Sequence, residues 1–175
     1  MGSAGYVIGA ILVIAIAVFM VYMVPTSITA SVNVVHVRSG LFSKEVTLDV
    51  QWVGFNVLHQ QLFTINEYIE YNTNCMNQIS YAKAWVDYEG VRYYTVLATI
   101  NGASHVIKSS IESPIINITI TTGNYITVNT NYGVQLASAL VVASMNSNVT
   151  IMPSYVNYTL SGPGLSEYGK ITICH

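Results

Sequence analysis

AGYVIGAILVIAIAVFMVYMV, from Ala4 to Val24, contains no charged or strongly polar side chain. A run of about 20 apolar residues is the length that spans a bilayer as a helix. Nothing basic precedes it, and the first basic residue of the chain is Arg38. A secretory signal peptide opens on a positive n-region and closes on a small-residue cleavage site. This chain opens on MGSAG, and the run closes on Met23-Val24-Pro25. A permanent anchor carries positive charge on its cytoplasmic flank, and none is seen here. The sequence therefore reads as a mature product that has lost a basic flank, with an apolar helix at its new N-terminus.

Working outward, Pro25 ends the helix, because proline lacks a backbone donor and disfavours helix at the residue before it. Thr26 to Ser31 reads as a short polar connection. From there the period changes to two. Ser31 to Val37, Glu45 to Val53, Leu62 to Tyr71, Ile79 to Tyr88, Val91 to Ile100, Ile115 to Thr121, Tyr125 to Asn129 and Lys170 to Cys174 alternate and are rich in Val, Ile, Thr and Tyr. That is the strand signature. Glu89-Gly90, Asn101-Gly102 and Gly123-Asn124 are hairpin signals, and Ser161-Gly-Pro-Gly164 reads as a longer loop before the last strand. Gly133 to Met145 is ambiguous and reads as mostly strand. The expected fold is α+β: one N-terminal hydrophobic α-helix over 1–25, a connection at 26–31, and an all-β immunoglobulin-like sandwich over 32–175.

Composition narrows the function. Only 8% of the 175 residues are charged and the net charge is −2, against about 25% charged in an ordinary soluble domain. With no basic stripe there is no electrostatic footprint for nucleic acid. Polarity comes from Asn, Thr, Ser and 13 tyrosines. Such a surface needs a hydrated coat or burial in an assembly to stay soluble. Three N-x-S/T sequons, at Asn117, Asn148 and Asn157, offer glycosylation sites in an exported chain. The two cysteines, Cys75 and Cys174, suggest a disulfide closing a loop of about 100 residues; the competing reading is two buried free thiols.

No catalytic constellation is visible. His36, His59, His105 and His175 lack zinc-site spacing, and no nucleophile elbow, phosphate loop or dinucleotide fingerprint occurs. We expect no enzyme activity, no metal and no cofactor. Trp52, Trp85 and the tyrosines read as core residues or cross-strand pairs ahead of a sugar-binding platform.

Small residues mark the helix. Gly5 and Gly9 form a G-x-x-x-G pair that permits close helix approach, although such a pair also arises by chance in a span rich in small residues. With Ala10, Ile14, Ala17 and Phe19 they are the candidate helix–helix contacts. A helix apolar on every side must be covered on every side, by lipid or by other helices.

The stretch Gly5-Tyr-Val-Ile-Gly-Ala-Ile-Leu-Val-Ile-Ala-Ile-Ala-Val18, closed by Pro25 and followed directly by a β-domain, resembles the archaeal type IV pilins and the related archaellins. The likeness covers about the first 30 residues by pattern and the rest by architecture alone. It implies a basic leader removed by a dedicated membrane peptidase, a subunit held in the cytoplasmic membrane by its helix, and transfer by an assembly machinery into an open helical filament of identical subunits. It also implies β-domains, often N-glycosylated, coating the outside. Gly5 stands where bacterial type IV pilins usually carry glutamate, which points to the archaeal branch, and a mature chain starting at Met1 departs from the usual pattern. The expectation is an extracellular adhesive pilus subunit. The alternatives are an archaellin-type motility filament, an anchored extracellular β-domain that stays monomeric, a viral envelope or capsid protein, and an anchored enzyme.

Overall fold

The computed structural model describes residues 2–88, 91–99, 108–109, 116–122, 125–136 and 140–175. Helix α1 runs Gly2–Met23. It stops where the physics of proline requires: Val24, the residue before Pro25, leaves the helix and Pro25 is buried. No residue of α1 is buried, and neither end carries an ionic residue. Its length and composition are enough to cross a membrane. The helix is tied to the domain near its C-terminal end, where Asn56 Nδ2 donates to the Tyr22 carbonyl at 3.3 Å. That bond satisfies one of the carbonyls a helix end leaves without partners.

The strands are β1 (Ser27–Ser39), β2 (Lys44–Phe55), β3 (Gln61–Thr73), β4 (Ile79–Tyr88), β5 (Val91–Thr99), β6 (Lys108–Ser109), β7 (Ile116–Thr122), β8 (Ile126–Leu136), β9 (Leu140–Ile151), β10 (Tyr155–Gly162) and β11 (Leu165–Thr172). They form a five-stranded sheet, β1-β2-β3-β4-β5, and a six-stranded sheet, β11-β10-β9-β8-β7-β6. The expected helix followed by an all-β sandwich is what the chain adopts. The immunoglobulin likeness stops at two packed antiparallel sheets. Among the described strands every hydrogen-bonded neighbour is also a neighbour in sequence, so each sheet as described is a meander without the Greek-key crossings of that fold.

Some boundaries differ from expectation. The connection placed at 26–31 is already strand from Ser27, which pairs with Phe55. Ser161 to Gly164 is no long loop: Ser161 and Gly162 belong to β10, and Gly162 stands opposite Leu165. Pro163-Gly164 is therefore a two-residue turn. Proline supplies its fixed φ and Gly164 the positive φ of 71°, the pairing a type II turn requires. The last strand consequently begins at Leu165, well before Lys170. The ambiguous Gly133–Met145 stretch is strand on both sides of 137–139. Glu89-Gly90, Asn101-Gly102 and Gly123-Asn124 lie outside the described residues. Strands flanking the first and third pair antiparallel, with Tyr88 opposite Val91 and Thr122 opposite Ile126, whereas β5 and β6 belong to different sheets.

The core lies between the sheets. Val46, Leu48, Val50 and Trp52 of β2, with Ile65, Ile69 and Tyr71 of β3, face Ile118 and Ile120 of β7, Ile126 and Val128 of β8, and Val149 and Ile151 of β9. These residues fall at every second position, as a sheet with one buried face demands. Gly54 has no side chain because the Phe63 ring opposite it occupies the place a Cβ would take.

Candidate functional site

The six candidate contact residues on α1 divide between two faces. At roughly 3.6 residues per turn, Gly5, Gly9 and Phe19 fall on one side, and Ala10, Ile14 and Ala17 on the other. Phe19 is half-buried and the other five are exposed. A Cβ added at Gly5 or Gly9 would meet nothing within 4 Å, so no contact inside the subunit requires glycine there. Each glycine costs a helix about 1 kcal/mol relative to alanine.

Cys75 and Cys174 are joined, with Cα atoms 5.8 Å apart and a sequence separation of 99. The bond staples the β3–β4 loop to the C-terminal segment and sets aside the free-thiol reading. Neighbouring bonds support it. Thr73 Oγ1 donates to the Pro153 carbonyl at 2.5 Å, and the Cys174 amide donates to the Ser154 carbonyl at 3.0 Å. Cys75 adopts the left-handed region, φ 65°.

Asn117, Asn148 and Asn157 are exposed and stand on the outer face of the six-stranded sheet. Register aligns that face into rows. Asn117, Asn131, Asn146, Ser161 and Ser166 lie side by side across β7 to β11, and Thr119, Asn129, Asn148, Thr159 and Tyr168 form the next row. Thr121, Thr127, Thr150, Asn157 and Lys170 form a third. Two sequons face each other reciprocally, with Asn148 opposite Thr159 and Asn157 opposite Thr150. Asparagines bridge the strands, as where Asn146 Nδ2 donates to Asn131 Oδ1 at 2.6 Å. In these three rows Lys170 is the one ionic residue.

Sequence reasoning missed a buried polar knot between the sheets. Glu67 of β3 is fully buried and accepts three hydroxyl bonds from the opposite sheet. Thr130 Oγ1 donates to Oε1 at 2.6 Å, Tyr132 Oη to Oε2 at 2.5 Å, and Ser147 Oγ to Oε2 at 2.8 Å. The Tyr132 ring meets Trp52 edge-on at 5.9 Å. Burial pushes the Glu67 carboxyl above its ordinary range, the three hydroxyl bonds pull it back, and the Asp49 carboxylate adds a smaller upward push. Burial and the adjacent Glu67 carboxylate raise the Tyr132 phenol. The available signal was phase: Glu67 shares the inward parity of Phe63, Ile65, Ile69 and Tyr71. With every member buried, the knot joins the sheets and is closed to a substrate.

The two tryptophans fall as the sequence suggested. Trp52 is core, and Trp85 stacks on Tyr68 of the next strand with centroids 5.5 Å apart. Among the described residues no group of three His, Cys, Asp or Glu side chains is placed to hold a metal ion. No protein-family model, curated protein or solved structure matches this chain.

Proposed function

We propose that this chain is the structural subunit of an extracellular pilus-like filament, polymerising through α1. One observation carries the reading: a 22-residue helix with no residue buried in its own subunit. Exposed to water, such a surface is unfavourable by tens of kcal/mol at about 25 cal/mol per Å² of apolar area. Lipid covers it before assembly, and copies of itself cover it afterwards. Contact residues on opposite sides of the helix suit a bundle in which each helix has neighbours on both sides. A head-to-tail contact of this kind does not close and yields an open helical polymer. The Asn/Thr-rich face with its three sequons, where Lys170 is the one ionic residue of the three rows, supports an outward, sugar-coated position for the six-stranded sheet. The disulfide supports an oxidising, extracellular setting.

The role is structural and adhesive in this reading, with no catalysis. A monomeric anchored β-domain is the second reading, favoured by the same helix because its length also suits a single span. Expression of the chain with and without residues 1–23, keeping buried Pro25, separates the two. Filaments from the full chain and a soluble monomer from the truncated one support assembly through α1. A full chain that remains monomeric in the membrane supports the anchored domain.

A further inference from the structure

The end of the sandwich away from α1 carries an apolar tip that filament assembly through the helix leaves unused. β1 leaves the helix with Ser27 opposite Phe55 and reaches its turn with Ser39 opposite Lys44. At about 3.3 Å per residue that is some 40 Å further on. β3 runs out to the same end, where Thr73 also stands opposite Lys44. The turn at 40–43 and the loop at 74–78 thus lie side by side. Leu41 is 95% exposed, Phe42 87% and Met76 83%. Phe42 and Met76 line one shallow groove of about 400 Å³.

These side chains are held out by closed loops. The Gly40 amide donates to the Ser43 carbonyl at 2.7 Å. Asn74 Oδ1 accepts from the amides of Met76, Asn77 and Gln78 at 2.9, 3.0 and 2.9 Å. Cys75, inside that loop, is covalently fixed to Cys174. The two loops therefore present three apolar side chains from turns closed by backbone and Asn74 side-chain bonds.

We propose that this tip docks on a bilayer bearing anionic headgroups. Two arguments select lipid over a protein partner. Three side chains on two short loops fall well short of the ~800 Å² per partner that a specific protein interface buries, whereas a bilayer interface takes single apolar side chains one at a time. Charge agrees. Residues 38–45 and 72–78 carry Arg38, Lys44 and Glu45, two positive and one negative, for a net +1, while the whole chain is −2. Arg38 and Lys44 have stems long enough to lie along apolar surface with their heads among phosphates. The inference holds for an anchored monomer as well as a filament, because it rests on the end of the domain remote from α1.

The test uses the full chain, with α1 held in nanodiscs of neutral lipid at one copy per disc, mixed with liposomes of phosphatidylcholine alone or with one third phosphatidylserine. Discs carrying the wild type float with the anionic liposomes. The double variant Leu41→Ser/Phe42→Ser lowers the floated fraction at least about tenfold, given the apolar transfer it removes. Lys44→Gln narrows the preference for anionic over neutral vesicles. Phe42→Trp adds an emission that shifts to the blue on mixing with anionic liposomes. Leu41 and Phe42 are solvent-exposed and Lys44 is half-buried at the start of β2, so an unchanged melting transition with the disulfide intact confirms the fold of each variant. Equal flotation of wild type and double variant overturns the proposal. So does tip-dependent association of discs with one another when liposomes are left out, which makes the tip a contact between copies of the chain.

Discussion

Removing the carboxylate from the buried knot should be among the most damaging single changes this domain can suffer. Glu67→Ala leaves the hydroxyls of Thr130, Tyr132 and Ser147 in the core without their acceptor. An unsatisfied buried polar group costs about 1–3 kcal/mol. Taking the lower end for each, since hydroxyls partly re-pair, and adding the cavity gives a loss of about 4–6 kcal/mol. A whole domain has only about 5–15 kcal/mol of stability. Glu67→Gln should behave differently, because the amide keeps the shape, one acceptor and a donor where a protonated carboxyl has its hydroxyl. The pH dependence has a definite sign. The folded pKa of Glu67 is raised above its ordinary value of 4.5, so the folded state binds the proton more tightly than the unfolded one. Its contribution is then fully present below about pH 4.5 and is lost as pH rises through the folded pKa. Asp49 is also raised, by burial, and adds a slope of the same sign that survives in Glu67→Gln. The assay is urea unfolding of the full chain in detergent micelles, followed by tryptophan fluorescence, with Trp52 reporting from beside Tyr132. The stability difference between wild type and Glu67→Gln should be most favourable to wild type in acid and shrink toward neutral pH. A Glu67→Ala loss under about 1 kcal/mol, or a difference that grows with pH, would refute the reasoning.

The other predictions concern assembly and export. Gly9→Leu overpacks an expected helix contact, a change that typically costs about 1–3 kcal/mol and recurs at every subunit of a polymer. Filament yield should fall while the subunit still reaches the membrane, as sheared-filament and membrane-fraction immunoblots would show; normal yield places that face against lipid or open space. Breaking Cys75–Cys174 opens a 99-residue loop and should lower stability by about 4–5 kcal/mol on the loop-entropy argument, read as a drop in melting midpoint of Cys75→Ser/Cys174→Ser. Peptides holding Asn117, Asn148 or Asn157 should carry hexose-scale added mass in material from the native host, and unmodified peptides at all three would remove the proposed coat.

Period-two alternation made most strands legible, because strands such as β2, β3 and β7 bury one face and the code repeats residue by residue. The helix was legible for the opposite reason: Ala4 to Val24 has no polar face at all. Tyr155 to Leu160 also alternates, yet β10 was missed. Ser161-Gly-Pro-Gly164 read as a longer loop because it is rich in turn residues. The structure shows that only Pro163 and Gly164 turn. The meander order was not legible, because partner choice between strands depends on contacts far apart in sequence. The cysteine pairing was legible only because there are two cysteines. Glu67 escaped because Glu67 and Glu70 look alike until parity is tracked along β3. The polar partners it requires come from residues more than 60 positions away.

The central claim is that α1 is the assembly element, and high-resolution electron microscopy of filaments sheared from cells expressing the chain tests it most directly. The account predicts a core of packed α-helices continuous with Gly2–Met23, an outer layer of two-sheet domains, and no filaments from cells making the chain without residues 1–23. Filaments whose core is built from the β-domains, or a truncated chain that still polymerises, would contradict it.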